Sequence, residues 1–328
     1  MPTAEGLERS YRAVEPQLLA LDRLLAQTWR ADVPCVDEML RYAARYSGKR
    51  LRPALVFIIA DICGNLRDEH VKLGAVVEMI HVATLVHDDV LDHATVRRSA
   101  AAINARFTNK DAILLGDILF ARAIRLLVSI GDTRALDRLT AAVSTICEGE
   151  IHQNALSGDP AVEETVYTEI IRRKTASLYA AGCELAAWLA GADEPVVDAF
   201  REFGMSLGTA FQIIDDCLDF SRDEGIVGKS LGTDVLNGKM TLPMIHLLAR
   251  LNGTQRGEVE AIIRGDARSV DSIQRVRSLL EEHGAFDYAL RRAEEYVDRS
   301  LDGLRDRLAA DAFGRVRDIA GFVLNRQL

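Results

Sequence analysis

Apolar residues recur along most of this chain at the spacing of an amphipathic helix. Leu18, Leu21 and Leu25 fall on one helical face, with polar residues between them. The segment 69–92 is apolar nearly all round, which predicts a long central helix that is buried on every side. Together these patterns predict helices over residues 7–29, 36–46, 53–63, 69–92, 111–129, 133–155, 163–190 and 194–222.

Breaks that contain glycine and proline separate the predicted helices, for example at Gly131-Asp132. Residues 223–238 are rich in glycine and lack periodicity, which predicts a loop. Seven prolines in 328 residues and few alternating β-branched runs favour an all-α chain. No low-complexity linker divides the sequence, so we predict one domain over residues 1–328, a single large helical bundle.

The composition excludes several classes of function. A net charge of −9 argues against binding to the phosphate backbone of a nucleic acid. The five cysteines are widely spaced and form no CxxC pair, which is typical of reduced thiols rather than disulfides or a zinc site. The N-terminus has no apolar signal core and no run reaches the length of a membrane span. We therefore expect a cytoplasmic protein that is not integral to a membrane.

Three carboxylates stand at the end of the most apolar helix, in the sequence HDDVLD. Asp88 and Asp92 lie one turn apart on one helical face, with Asp89 beside them. The C-terminal end of a helix disfavours negative charge, and like charges about 4 Å apart repel by about 4 kcal/mol at an effective dielectric constant of about 20. A positive partner is therefore needed, and Arg97 and Arg98 follow directly. Alone, one DDxxD sequence is more typical of a solvated acidic patch.

A second copy of the same pattern changes that interpretation. The sequence FQIIDDCLDF places Asp215, Asp216 and Asp219 at the same spacing after another apolar helix, and Lys229 and Lys239 follow. Two facing carboxylate clusters suit Mg²⁺, which binds through one or two carboxylates plus substrate phosphates. Nearby arginines and lysines would bind the same phosphates. The pattern therefore predicts a magnesium-dependent site for a phosphorylated substrate.

Other chemistries of carboxylates and phosphates fit the sequence less well. An oxygen-activating di-metal bundle needs Glu-x-x-His on its helices, whereas His152 lies four and two residues after Glu148 and Glu150. A nucleotide site would carry a Walker or Rossmann glycine pattern, and the sequence has none. The segment Glu148-Gly149-Glu150 receives no assigned role.

Taken in order along the chain, these motifs resemble those of the trans-isoprenyl (polyprenyl) diphosphate synthases. The resemblance covers nearly all of residues 8–328 and implies a bundle of the isoprenoid synthase type with a central substrate cavity. In one departure, Ser99-Ala100-Ala101 stands where such chains commonly continue with Gly-Lys-Pro. The matching motifs are GKRLRP at 48–53, HDDVLD and the double arginine at 87–98, GD at 116–117, RKTASL at 173–178, GTAFQIIDDCLDF at 208–220 and GKMTLP at 238–243.

The resemblance implies that isopentenyl diphosphate condenses with an allylic diphosphate, either farnesyl or geranylgeranyl diphosphate. Magnesium ions, three per active site, would be held by Asp88, Asp89 and Asp92 on one wall and by Asp215, Asp216 and Asp219 on the other. The allylic diphosphate would be bound by Arg97, Lys174, Lys229 and Lys239, and isopentenyl diphosphate by Lys49, Arg52, His81 and Arg98. Thr175 and Gln212 would direct oxygen dipoles at the developing cation. A homodimer is also implied.

Residues one turn before Asp88 bear on the length of the product. In this family a bulky aromatic residue there acts as a floor, whereas Ala83 and Thr84 are small. About three helical residues accommodate one extended isoprene unit, so the apolar run back to Leu73 could flank roughly five units. On the next helix, the candidates for the floor are Leu126 and Leu127. We expect a long all-trans product of about C30 to C40.

Alternative activities share parts of this pattern. A geranylgeranyl diphosphate synthase or the catalytic subunit of a heteromeric synthase would carry the same acidic motifs. A class I terpene cyclase would share the fold and the first motif. Its second helix would normally carry Asn/Asp-x-x-Ser/Thr-x-x-x-Glu, so the second DDxxD and the GKRLRP motif favour elongation.

Overall fold

The computed structural model describes residues 4–48, 50–97, 100–221, 232–267 and 269–325. Its helices up to residue 155 are α1 (Ala4–Ala13), α2 (Glu15–Thr28), α3 (Pro34–Ala43), α4 (Leu51–Ile62), α5 (Asp68–Leu91), α6 (Ile103–Arg106), α7 (Asn109–Val128) and α8 (Thr133–Ala155). A 3₁₀ turn at Ala44–Tyr46 follows α3. Between α5 and α6, β1 (Val96–Arg97) pairs with β2 (Ala100–Ala101) as an antiparallel hairpin.

The remainder of the described chain is also helical. Its elements are α9 (Glu164–Ile171), a π-helical turn (Arg172–Ala176), α10 (Ser177–Leu189), α11 (Glu194–Ser221), α12 (Thr233–Leu236), α13 (Leu242–Leu248), α14 (Gly253–Arg264), α15 (Val270–Glu282), α16 (Ala285–Arg305) and α17 (Ala310–Leu324). The predicted all-α bundle is confirmed. Of the predicted loop 223–238, the part up to residue 231 lies outside the described residues, and the short α12 occupies Thr233–Leu236.

Helix α5 is buried at the centre of the bundle, as its apolar composition predicts. The side chains of Leu73, Met79 and Val86 on this helix are completely buried, and each such burial stabilises the fold by about 1.5–3 kcal/mol. Helix α5 packs along α7 and α4, while α10 contacts both α5 and α11. The two helices that carry the acidic motifs are thereby held on either side of α10. Within the described residues, no helix is long and apolar enough to cross a membrane.

The helix predicted over 7–29 is divided at Val14, between α1 and α2. Pro16 stands in the first turn of α2. Proline has no amide N–H, and its ring clashes with the carbonyl four residues earlier. A continuous helix through this point is therefore disfavoured, whereas proline is well tolerated at a new helix start.

The helix predicted over 163–190 is interrupted by the π-helical turn at Arg172–Ala176. Neighbouring helices approach this turn closely because they carry glycine at the contact. A Cβ atom at Gly149 of α8 would lie 2.7 Å from the backbone nitrogen of Lys174, and one at Gly208 of α11 would lie 2.6 Å from Cα of Ala176. Such single-turn π segments frequently occur at functional sites. Here the turn carries Lys174 and Thr175.

Candidate active site

A cavity of about 450 Å³ lies between the helices that carry the acidic motifs. Its wall combines carboxylates and cations with apolar side chains such as Leu85, Ile171 and Leu178. The structure therefore brings together motifs that are more than 120 residues apart in the chain. The residues predicted from the sequence that line the cavity are Arg52, His81, Thr84, Asp88, Asp92, Arg97, Lys174, Thr175, Gln212, Asp215, Asp216, Asp219 and Lys239.

The remaining predicted residues lie either outside the described residues or in other parts of the described structure. Lys49, Arg98 and Lys229 lie outside the described residues. Asp89, Ala83 and Leu127 are buried in the core, and Leu126 is half-buried and packs against it. The structure thus differs from the sequence prediction at Asp89, Ala83, Leu126 and Leu127.

Helix geometry explains the difference between Thr84 and its neighbour Ala83. Thr84 precedes Asp88 by one turn and shares its face, so both side chains line the cavity. Ala83 lies five residues before Asp88 and is therefore rotated by about 140° around the helix axis. Its methyl group is completely buried in the core. Of the four residues predicted to control product length, only Thr84 lines the cavity.

Asp88 and Asp92 present the carboxylates of the first motif to the cavity. Burial raises the pKa of Asp88 to about 6, and the carboxylate of Glu150 adds to the effect while the ammonium of Lys174 opposes it. Lys239 donates hydrogen bonds to both carboxylate oxygens of Asp92, at 2.7 and 2.8 Å. This end of α5 is thus a region of negative charge that is already partly compensated by lysine.

The carboxylate of Asp89 is held by protein groups and does not line the cavity. Its side chain is completely buried, and its carboxylate oxygens accept hydrogen bonds from the Tyr46 hydroxyl and from Nε of Arg97, both at 2.6 Å. Asp89 is rotated by about 100° from Asp88 around the helix. Its buried position differs from the cavity-facing position that the sequence predicts, and its support of a metal ion stays a prediction.

In the second motif, Asp215, Asp216 and Asp219 all line the cavity, and the carboxylate of Asp216 is also hydrogen-bonded to two protein side chains. The carboxylate of Asp216 accepts hydrogen bonds from Nε2 of Gln212 and from the Tyr167 hydroxyl, both at 2.7 Å. Burial raises the pKa of Asp216 well above its ordinary value, and the charge of Asp234 acts in the same direction. Asp216 is therefore better placed to orient Gln212 than to bind a cation.

Lys174 reaches the cavity from the π-helical turn. Its ammonium forms an ion pair with Glu150 and donates a hydrogen bond to Oε1 of Gln153 at 2.9 Å. Burial alone would lower the pKa of Lys174, but the carboxylates of Asp88 and Glu150 outweigh burial and raise it. The amine is therefore fully protonated and can bind an anionic group.

Arg52 occupies another part of the cavity wall, in the first turn of α4. Its guanidinium lies 4.5 Å from the ring centre of Tyr179 and 5.6 Å from that of Phe211. Arginine stacks on aromatic faces in this way. The two rings therefore restrict the orientation of a cation at the cavity wall.

Several cavity residues were not identified from the sequence. Glu150 and Gln153 hold Lys174, and Asp234 lines the cavity and donates its backbone N–H to Oδ2 of Asp219 at 2.9 Å. Gly149, next to Glu150, was a usable signal because glycine is costly within a helix and often has a packing or functional reason there.

The donor set fits magnesium only together with a phosphorylated ligand. Within the described residues, no three Asp, Glu, His or Cys side chains are close enough together to hold a metal ion by themselves. Magnesium is usually bound by one or two carboxylates plus substrate phosphates and water. Asp88 and Asp92 on one wall and Asp215 and Asp219 on the other have the correct chemistry for that mode.

Comparisons with known proteins agree with this site. The chain is 32% identical over 300 residues to the octaprenyl diphosphate synthase of Haemophilus influenzae, covering 91% of each chain. It is 36% identical to the all-trans-nonaprenyl-diphosphate synthase (geranyl-diphosphate specific) of Rhodobacter capsulatus, covering 89% of each. Its structure is similar to that of a polyprenyl synthase from Caulobacter crescentus CB15, solved with calcium and isoprenyl diphosphate, with a TM-score of 0.94, 35% identity and 98% coverage of both chains.

A family model provides the last comparison. The model described as polyprenyl synthetase matches residues 33–280, a span that contains both acidic motifs and every predicted cavity residue. The match agrees with the all-helical fold and with the paired carboxylates that line the cavity. This chain belongs to the polyprenyl synthetase family.

Proposed function

We propose that this protein is a prenyltransferase that condenses isopentenyl diphosphate with an allylic diphosphate, giving a long-chain all-trans polyprenyl diphosphate. The observation that carries the proposal is the cavity itself. Carboxylates from both acidic motifs and two partly buried lysines line one space, together with apolar side chains that suit a hydrocarbon chain. Relatives named octaprenyl and nonaprenyl diphosphate synthase support this assignment.

In this proposal Mg²⁺, three ions per site, binds with the allylic diphosphate. Asp88 and Asp92 would contribute ligands from α5, and Asp215 and Asp219 from α11. The bound ions would neutralise the charge on the leaving diphosphate. The related Caulobacter enzyme was solved with calcium, another divalent cation that prefers oxygen ligands, which supports such a site here.

The protein side chains contribute charge, orientation and exclusion of water. Lys174 and Lys239 stabilise the diphosphate as its bond to the allylic carbon breaks. The double bond of isopentenyl diphosphate then forms the new carbon–carbon bond, and the proton lost from the adduct passes to the departed diphosphate. Apolar side chains such as Leu85 and Leu178 keep water from the allylic cation.

Thr175 and Gln212 are suited to stabilise that cation. The Thr175 hydroxyl donates to Oε1 of Gln212 at 2.8 Å, and Nε2 of Gln212 donates to Asp216. These two bonds fix the amide so that its nitrogen faces Asp216 and its oxygen lies beside Thr175. Oxygen dipoles held in advance need little reorganisation when positive charge develops.

Isopentenyl diphosphate is assigned to the region of Arg52 and His81, which line the cavity without belonging to either acidic motif. Lys49 and Arg98, which lie outside the described residues, are proposed to complete this pocket. Arg97 and Lys229 are assigned to the allylic diphosphate. We propose that residues 1–328 form one domain, since one cluster of buried apolar side chains extends from Val14 to Val323.

A homodimer is part of the proposal. The face of α7 turned away from α5 exposes apolar side chains, with Leu114, Ile124 and Val128 between 46% and 60% accessible. These residues fall within one side of the helix. Contiguous exposed apolar surface of this kind marks protein–protein contact sites.

Product analysis tests the proposed function. The purified protein is incubated with Mg²⁺, isopentenyl diphosphate and farnesyl diphosphate, and the dephosphorylated products are separated by length. We expect elongation to about C30 to C40 and no turnover after chelation of the metal. A main product of C20 would instead identify a geranylgeranyl diphosphate synthase, and a cyclised hydrocarbon would contradict prenyl elongation altogether. Light scattering of the active species distinguishes a homodimer from one half of a heteromer.

A further inference from the structure

The Tyr46 hydroxyl joins segments of the chain that surround the diphosphate site. It donates a hydrogen bond to Oδ2 of Asp89 at 2.6 Å and accepts one from the backbone N–H of Ile103 at 2.9 Å. Tyr46 ends the turn that precedes the GKRLRP motif, Asp89 belongs to the end of α5, and Ile103 follows the β1–β2 hairpin. A single oxygen atom thus links these segments.

Asp89 in turn fixes Arg97 of the hairpin. Nε of Arg97 donates to Oδ1 of Asp89 at 2.6 Å, and the guanidinium carbon of Arg97 lies 5.7 Å from the centre of the Tyr46 ring. Asp89 is completely buried and Tyr46 is nearly so. A buried carboxylate needs hydrogen bonds to both of its oxygens, and here Tyr46 and Arg97 each supply one.

The geometry points to Tyr46 as a positioning residue that, through Asp89, aims Arg97 at the allylic diphosphate. This inference rests on the proposed function and adds to it a residue that belongs to none of the recognised motifs. Arg97 lines the cavity while its Nε is committed to Asp89. The terminal nitrogens of the guanidinium make no hydrogen bond within the part of the chain that the structure describes. They are the atoms with which Arg97 can reach a phosphate.

The hydrogen bond from the Tyr46 hydroxyl to Asp89 determines the direction in which the terminal nitrogens of Arg97 point. Without the hydroxyl, Oδ2 of Asp89 is a buried, unsatisfied acceptor. Arginine binds carboxylates preferentially through two parallel hydrogen bonds. Arg97 would therefore turn a terminal nitrogen toward Oδ2, and the guanidinium would be withdrawn from the cavity. The expected defect is a loss of affinity for the allylic diphosphate rather than loss of the fold.

The test compares Tyr46→Phe with Tyr42→Phe. Tyr42 is a matched control because its buried hydroxyl donates to the carbonyl of Ala101, in the same hairpin, but does not contact Asp89. We expect Tyr46→Phe to raise the KM for farnesyl diphosphate about tenfold or more, the fold-change that corresponds to one hydrogen bond to a charged group. The KM for isopentenyl diphosphate should change by no more than about twofold in either variant.

A double-mutant cycle separates positioning from general destabilisation. In an Arg97→Gln background, Tyr46→Phe should leave the KM for farnesyl diphosphate unchanged, because it acts through Arg97. Additive effects, or equal increases in both KM values, would overturn the inference. If Tyr46→Phe does not fold, Asp89→Asn replaces it in the same cycle. This variant retains the shape of the side chain but removes the charge that holds Arg97.

Binding of inorganic diphosphate with Mg²⁺, measured by calorimetry, keeps the inference distinct from the proposed function. Weaker binding to Tyr46→Phe than to the wild type, with Tyr42→Phe unchanged, supports the role of Tyr46 even if the wild type does not elongate prenyl chains. Equal binding to all three proteins overturns the inference even if the wild type does elongate them.

Discussion

Lys239 donates hydrogen bonds to both carboxylate oxygens of Asp92, at 2.7 and 2.8 Å, and so connects the ends of the two halves of the site. Asp92 directly follows the last residue of α5, and Lys239 lies just before α13, 147 residues later in the chain. The lysine side chain is only 10% exposed. A partly buried ammonium at this position compensates Asp92 in the free protein and can pair with a phosphate when substrate enters.

We therefore expect Lys239→Met to raise the KM for the allylic diphosphate by about tenfold to a hundredfold, because one hydrogen bond between charged groups is worth about 1.5–3 kcal/mol. Steady-state kinetics with farnesyl diphosphate as the varied substrate provides the measurement. Lys110→Met is the control, since Lys110 is exposed in the first turn of α7. An unchanged KM in Lys239→Met would exclude Lys239 from the allylic pocket.

Arg52 should give the opposite kinetic pattern. Its guanidinium is stacked on Tyr179 and lies near Phe211, an arrangement that a lysine ammonium cannot reproduce. Arg52→Lys is expected to raise the KM for isopentenyl diphosphate about tenfold and to leave that for the allylic substrate near its wild-type value. If Arg52→Lys and Lys239→Met weakened the same substrate equally, the division of the cavity into two diphosphate pockets would be wrong.

The acidic motifs should be essential for activity, and kcat/KM should depend on pH through Asp88. Asp88→Asn and Asp215→Asn should each reduce kcat/KM about a thousandfold, which corresponds to about 4 kcal/mol of lost transition-state stabilisation. Burial raises the pKa of Asp88 to about 6, so this carboxyl group is protonated at lower pH. A metal cation competes with that proton. We therefore expect kcat/KM to fall as the pH drops through about 6, and higher Mg²⁺ concentrations to move this acid limb to lower pH.

Circular dichroism of the Asp88→Asn and Asp215→Asn variants provides the control, since both should retain the helical signal. Near-normal turnover in either variant would contradict the metal-site assignment. If the pH at which kcat/KM falls does not change with the Mg²⁺ concentration, the titrating group is not a metal ligand.

The sequence predicts the helices and the acidic motifs well because both depend on local spacing. It does not separate the roles of Asp88 and Asp89, although the 100° rotation per helical residue already places them on different faces. Only the packed structure shows that Tyr46, 43 residues earlier in the chain, meets Asp89. Periodicity cannot identify a partner that is brought close by tertiary packing.

The π-helical turn at Arg172–Ala176 has a similar explanation. Its residues have ordinary helical propensities, so local preference alone predicts an unbroken helix. The turn lies where Gly149 and Gly208 let the neighbouring helices approach closely. The pairing of Lys174 with Glu150 depends on that approach, and for this reason no role could be assigned to Glu150 from the sequence.

The stability of the fold should depend on pH through His246. Its side chain is buried and stacked on Tyr288 with 4.0 Å between ring centres. Burial lowers the pKa of His246 to about 4, and the positive charges of Arg250 and Arg291 add to the effect. The unfolded chain takes up this proton near pH 6.5, whereas the folded protein does so only near pH 4. The free energy of unfolding therefore contains the full contribution of the neutral His246 above about pH 6.5, and this contribution is lost as the pH falls toward 4.

Urea denaturation of the wild type and of His246→Gln at several pH values measures this contribution. The variant should be less stable at pH 7, and the difference between the two free energies of unfolding should narrow by about 1–3 kcal/mol between pH 7 and pH 4.5. A constant difference over that range would show that the His246 proton is not linked to folding.

Product length should be controlled from Thr84. The Thr84 side chain lines the cavity one turn before Asp88, and its hydroxyl donates to the carbonyl of His81 at 2.8 Å. A tyrosine ring at this position would project into the space that a growing chain must enter, about 6 Å along the helix from the diphosphate end. We expect Thr84→Tyr to shorten the main product to farnesyl or geranylgeranyl length while the first condensation proceeds. The same replacement at the exposed Thr140 of α8 should leave the product distribution as in the wild type. A long product from Thr84→Tyr would place the path of the chain on another wall of the cavity.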